Sequence, residues 1–199
     1  MAAILNVDNI NNSAGTPLLV NGYPRQPGQI VELLTGPCDG SSVTVGSGTY
    51  VFPNVTSYQG YVGNVWTDIN GSILAYQPPA GATRVRYEFN FSSYWITAHA
   101  INSYKFFLDS NEVTSARHTR SGYYMEGKYV FDWTIAIGGA ANPSTGRVAT
   151  WTAPKTFRMQ YYQYGGSNYA NLHSTQYWET GSVPNTTLSV PTLTITAIA

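Results

Sequence analysis

Arg84-Val85-Arg86-Tyr87-Glu88-Phe89-Asn90-Phe91 is the stretch that decides the fold class. Val85, Tyr87, Phe89 and Phe91 occupy every second position, and Arg84, Arg86, Glu88 and Asn90 fill the gaps. Side chains of an extended chain alternate between two faces, so the octet reads as a strand with one face in a core and the other in water. The same period returns at 155–162, where Phe157, Met159 and Tyr161 alternate with Thr156, Arg158 and Gln160, and at Thr192-Leu193-Thr194-Ile195-Thr196. Further strands are expected at 29–35, 43–52, 65–69, 73–76, 103–109, 112–118 and 123–137, separated by Gly, Pro, Asn and Asp clusters that favour turns. Helical spacing is tolerable only over 95–103, whose Trp, Ile and Thr content favours a strand or loop. About ten short strands with turns between them predict an all-β antiparallel sandwich or jelly roll, which buries one face of every strand.

The chain of 199 residues is long enough to bury about 70% of the surface its unfolded form exposes, so the core needs neither disulfide nor metal. Ten Lys plus Arg balance ten Asp plus Glu, and charged residues make up only 10% of the chain. A protein of zero net charge offers no field to draw in phosphates or acidic lipids, which argues against nucleic acid and membrane surfaces as partners. No apolar run approaches the roughly 18 residues that span a bilayer. Cys38 is the single cysteine. The first ten residues lack a basic stretch followed by a continuous apolar one, so a cleaved secretion signal is not expected.

Residues 1–28 differ from the rest. They are rich in Asn, Gly and Pro, carry isolated apolar residues at Leu5, Val7, Ile10 and Leu18, and hold turn signals at Asn21-Gly22, Tyr23-Pro24 and Pro27-Gly28. This reads as an extended arm able to dock along a partner, followed by a sandwich domain over 29–199.

Recognisable chemistry is sparse. His99, His118 and His173 lie far apart in the chain, and no zinc-protease helix, Cys-x-x-Cys pair, nucleophile elbow or phosphate loop is present. No catalytic residue, cofactor or metal is therefore expected. Among the carboxylates that a glycosidase would need, Glu88 shares a strand face with Arg84 and Arg86 and Glu126 lies two residues from Lys128 on one face, so solvated cross-strand pairing accounts for both. Tyr, Trp, Asn, Ser and Gly are abundant instead, most densely in Gln160-Tyr161-Tyr162-Gln163-Tyr164-Gly165-Gly166-Ser167-Asn168-Tyr169. Such residues suit adaptable binding loops, because a rigid aromatic ring offers contact area at little entropic cost. With Phe157, Met159 and Tyr161 turned inward, Tyr162 and Tyr164 should face outward, and with Tyr169 they form the candidate binding surface. Arg117, Arg120 and Lys128 are the alternative surface, should binding depend steeply on salt.

Several segments together carry a resemblance: Gly71-Ser72-Ile73-Leu74-Ala75-Tyr76 followed by Pro78-Pro79-Ala80-Gly81, Tyr104-Lys105-Phe106-Phe107-Leu108-Asp109, Trp151-Thr152-Ala153-Pro154-Lys155-Thr156 and Leu193-Thr194-Ile195-Thr196-Ala197-Ile198-Ala199. From about residue 28 to its end the chain resembles virion structural proteins of tailed phages, particularly marine ones, with a strand order like the trimeric jelly roll of the tumour necrosis factor superfamily. Ile4-Leu5-Asn6-Val7-Asp8-Asn9-Ile10-Asn11-Asn12, with Leu18-Leu19-Val20-Asn21-Gly22, looks like the virion-attaching start of phage fibre and appendage proteins. The resemblance implies a non-enzymatic homotrimer on the virion exterior, a head decoration or a tail-associated fibre, made in the host cytoplasm and attached to other virion proteins through residues 1–28. It also implies that the C-terminal strand, read as 188–197, lies in the sheet nearest the three-fold axis. A carbohydrate-binding module that recognises a host surface glycan is the alternative, and a glycan depolymerase a more distant one.

Overall fold

A computed structural model describes residues 19–20, 23–24, 26–60, 63–95, 100–122, 126–165, 170–177 and 185–199. In chain order the strands begin with β1 (Leu19–Val20), β2 (Tyr23–Pro24), β3 (Ile30–Pro37), β4 (Ser42–Val45), β5 (Gly48–Val51), β6 (Thr67–Asp68) and β7 (Leu74–Tyr76). They continue with β8 (Arg84–Trp95), β9 (Ala100–Leu108), β10 (Asn111–Glu112), β11 (His118–Gly122) and β12 (Glu126–Ala136). The last five are β13 (Lys155–Gln163), β14 (Ala170–Leu172), β15 (Ser174–Tyr177), β16 (Asn185–Leu188) and β17 (Thr192–Ile198). Among the described residues the only helical turns are two short 3-10 pieces, Thr114–Ala116 and Pro143–Thr145.

The protein is an all-β antiparallel sandwich. One sheet runs β3-β17-β8-β12, and β14 joins β8 beyond the end of β17. The other is built on β9, with β13 on one side and β10 and β11 on the other, while β13 carries β6 and β7 on its far edge. From β7 the chain passes back and forth between the sheets, with β8, β12 and β14 in one and β7, β9–β11 and β13 in the other, and the first long strand pairs with the last. Gly28 N donates to Ala199 O at 2.8 Å and Ala199 N to Gln29 O at 2.9 Å, which ties the two ends of the domain together.

The three alternating stretches behave as their period dictates. Val85, Tyr87, Phe89 and Phe91 are buried, as are Phe157, Met159 and Tyr161 and, from β17, Leu193 and Ile195. Tyr87 sits at the centre, its ring 5.2 Å from Phe106 and 5.0 Å from Phe157 on the opposite sheet and 6.2 Å from Phe131 on its own. Its hydroxyl donates to Ser72 O at 2.7 Å. Ser72 is held in turn, since its hydroxyl donates to Ile69 O at 2.7 Å and accepts from Met159 N at 3.1 Å. The turn that aims Ser72 inward needs Gly71, whose φ of +86° is left-handed; an added Cβ there would stand 3.0 Å from both Pro191 and Val55. Cys38 lies in the same layer, its thiol donating to Gly71 O at 3.4 Å, and burial pushes that thiol up to about 12, which leaves it inert.

The structure corrects several expectations. The single strand expected at 43–52 is a hairpin, β4 and β5, because Gly46-Ser47 makes a two-residue connection. The strand expected at 112–118 is broken by the 3-10 turn Thr114–Ala116, which tucks Val113 and Ala116 into the core at the expense of extended pairing. At the C-terminus β17 begins at Thr192 rather than near 188, and Leu188 belongs to the β15-β16 hairpin. That hairpin and β14 were not expected, since their Asn, Ser, Thr and Gln carry no apolar alternation. Most of the arm 1–28 lies outside the described residues; within it β1 pairs with β2, Leu19 opposite Pro24 and Val20 opposite Tyr23.

The Tyr87 hydroxyl generates a stability prediction. Tyr87→Phe should destabilise the domain by about 1–3 kcal/mol, because Ser72 O is left buried without its donor. Tyr87→Ala should cost about 3–5 kcal/mol through the cavity it opens between the sheets. Urea unfolding of the two variants checks both; a neutral Tyr87→Phe would show that the hydrogen bond is not what ties Ser72 to the core.

Candidate functional site

The outer face of the β9-β13 sheet gathers outward aromatic and charged side chains. Inward burial of Tyr104 and Phe106 on β9, and of Phe157, Met159 and Tyr161 on β13, turns Ser103, Lys105, Arg158, Gln160 and Tyr162 outward. Trp66, just ahead of β6, stands beside Tyr162 with ring centroids 5.4 Å apart. Lys105 Nζ sits 4.2 Å from the centre of the Trp66 ring, a cation-π contact that fixes the ammonium.

Between Trp66 and Arg117 runs an open groove of about 480 Å³, floored by Ser103 and Lys105 of β9 and by Thr119 of β11. Glu112 is shared by its two cations: Arg117 Nε donates to Glu112 Oε1 at 2.5 Å, and Lys105 Nζ lies 3.5 Å from Glu112 Oε2. The Arg117 guanidinium, assisted by Lys105, holds the Glu112 carboxyl below its ordinary range. The Ser103 and Thr119 hydroxyls are 2.9 Å apart. Away from the groove Asp68 receives Gln160 Nε2 at 2.9 Å and faces Arg158 at 3.5 Å, while the Arg158 guanidinium lies 4.4 Å from the Phe107 ring centre.

Under the groove His118 closes the side of the sandwich between β11 and β12. Its ring stacks on Tyr104 at 4.9 Å and on Tyr129 at 5.3 Å. Nδ1 donates to Ala116 O at 3.2 Å and Nε2 accepts from the Tyr129 hydroxyl, so both nitrogens are engaged. Burial lowers its pKa, which keeps the ring neutral near pH 7. A second cleft of about 330 Å³ opens on the other side of Arg117 and His118, reaching Tyr129, Asp132 and Trp133.

Of the three tyrosines expected to form the binding surface, Tyr162 faces outward but leans on Trp66, and Tyr164 is 61% exposed at the strand end. Tyr169 lies outside the described residues, as does His99. The basic trio is split. Arg117 lines the groove, Arg120 turns to the Tyr129 ring at 5.6 Å, and Lys128 projects from β12 of the other sheet. Glu88 is paired, through Arg86, which also holds Asp132: the distances are 2.9 and 2.5 Å. Glu126 differs from expectation, since it accepts from the Thr175 hydroxyl and from Gln176 N at 2.6 Å instead of turning to Lys128. The hairpin that brings Thr175 there could not be read from strand period. Trp66, Lys105, Glu112 and Thr119 were missed for a related reason: they come from four separate segments, and only sheet pairing makes them neighbours.

Among the described residues no group of three or more His, Cys, Asp or Glu side chains could hold a metal ion, and no helix is long and apolar enough to cross a membrane. No protein-family model matches the chain, and no curated protein matches it.

His173 supplies the pH prediction. The ring is fully buried beside Phe89 and Phe91, and apart from a weak approach of the Asn70 backbone neither nitrogen has a hydrogen-bond partner among the described residues. Burial pushes its pKa down to about 4, against a smaller opposing pull from the Asn70 backbone. The unfolded ring titrates near 6.5, so between these values the unfolded chain binds the extra proton and stability falls as pH drops from about 6.5 towards 4. The loss attributable to His173 at pH 4.5 should be about 2–3 kcal/mol. His173→Asn, which tolerates the left-handed φ of +60° at this position, should lose less stability than the parent between pH 7 and 4.5. Equal losses in urea titrations of the two proteins would absolve the imidazole.

Proposed function

We propose that this protein is a non-enzymatic structural component of the exterior of a tailed-phage particle, a head decoration or tail-associated fibre, that assembles as a homotrimer and attaches through residues 1–28. The observation that carries the reading is the strand order. The order β3-β17-β8-β12 facing β7-β13-β9-β11 supports the jelly roll that the resemblance implies. The pairing of β3 with β17 supports the attachment role, because Gly28 leaves the domain beside Ala199 and the arm extends from that end.

The outer face of the β3-β17-β8-β12 sheet is the surface best suited to packing between copies. Thr35, Thr192, Thr194 and Thr196 cover its middle, with Thr35 and Thr194 hydroxyls 2.7 Å apart. Leu33 and Val130 are 51% and 53% exposed near its two edges, and Arg86 bridges Glu88 and Asp132, which leaves that trio with one negative charge. The Thr-rich, partly apolar middle of such a face loses little on desolvation. A second reading, a module that holds host glycans, is favoured by the groove between Trp66 and Arg117.

Sedimentation should give a trimer at micromolar concentration, and Leu33→Asp should shift it to folded monomer; a wild-type monomer would overturn the assembly. Removing residues 1–28 should leave a folded domain that no longer enters particles, as measured by its copy number in purified virions. Loss of folding in that truncation would make the arm part of the sandwich instead.

A further inference from the structure

We propose that the groove between Trp66 and Arg117 binds a carboxylate-bearing sugar residue of an acidic polysaccharide. This rests on the second reading above, that the protein holds glycans, and names the class it takes. Lys105 and Arg117 share the single carboxylate of Glu112, so the groove has one uncompensated positive charge in a protein whose total is zero. His118 adds none, because burial keeps it neutral against the opposing pull of the Ala116 carbonyl. Lys105 is already ordered over the Trp66 ring, which lowers the entropy lost when an anion arrives.

The remaining donors match a sugar better than a phosphate. The groove floor is a sheet, and the β9 backbone N–H groups are consumed in ladders with β11 and β13, so no nest of amides is left to cradle a phosphate. What the floor offers is the Ser103 and Thr119 hydroxyl pair, each able to donate and accept. A uronate presents both groups at once: its carboxylate meets the Lys105 and Arg117 ends, and its ring hydroxyls exchange with Ser103 and Thr119. The indole of Trp66 borders the groove with apolar surface.

Calorimetric titration of the full chain with hexagalacturonate, cellohexaose and polyglutamate tests this. Hexagalacturonate should bind and the other two should not. Lys105→Met and Arg117→Met should each weaken binding by about ten-fold or more, as loss of a hydrogen bond to a charged group does. Glu112→Gln should instead tighten it several-fold, because both cations are released from their internal competitor. A groove residue of merely structural importance would not produce that opposite sign. Equal binding of cellohexaose would overturn the acidic class while leaving the glycan reading standing. Equal binding of polyglutamate would make the groove a general anion site, and no binding of either saccharide would overturn both the class and the glycan reading.

Discussion

Tyr87 is the residue on which the two sheets converge. Its ring contacts Phe106 and Phe157 from the facing sheet, and its hydroxyl reaches past them to Ser72 O. Ser72 in turn donates to Ile69 and accepts from Met159, so a single side chain links β8 to the turn ahead of β7 and, through that turn, to β13. Sandwich cores are usually held by shape and apolar area, which are non-directional. The Tyr87 hydrogen bond adds direction. A sliding of one sheet over the other would bury Ser72 O without a donor, a cost that apolar contacts alone would not impose.

The interleaved strand order then determines where the surfaces lie. β3 beside β17 brings residues 28 and 199 together, and it gathers Thr35, Thr194 and Thr196 on the outer face of that sheet. β12 and β11 are edge strands of opposite sheets, and the side between them is filled by the stacked rings of Tyr104, His118 and Tyr129. Those rings form the underside of the groove whose outer wall is Arg117. Core packing and the candidate site are therefore continuous: the histidine that seals the sandwich is flanked by the residues that line the groove.

Charge is used sparingly and mostly in closed groups. Arg86 with Glu88 and Asp132, Lys155 with Asp109, and Arg158 with Asp68 are satisfied on the spot. Exposed pairs of this kind add about 0–1 kcal/mol each, so their effect on stability is small and their effect on surface potential is to cancel it. The Arg86 trio keeps one negative charge, and the two cations around Glu112 keep one positive charge on the other sheet. The surplus is one charge, which gives selectivity between ligands more than it gives affinity.

The two-residue period of 84–91, 155–162 and 192–196 determined by itself that the protein is all-β, which residues of those stretches enter the core, and that Tyr162 faces outward. These follow from backbone geometry, which alternates side chains whatever the partner strand is. The composition likewise determined that the protein has no net field. Which strands pair was decided only by the tertiary structure, because register depends on cross-strand partners far away in the chain: Gln160 meets Lys105 and Asp68, and Glu88 meets Asp132. The same holds for the breaks at Gly46-Ser47 and Thr114–Ala116, where burial of Val113 and Ala116 overrides extended pairing. The groove belongs to this second class, since Trp66, Lys105, Glu112, Arg117 and Thr119 have no common spacing and become one site only when β9 accepts a neighbour on each side.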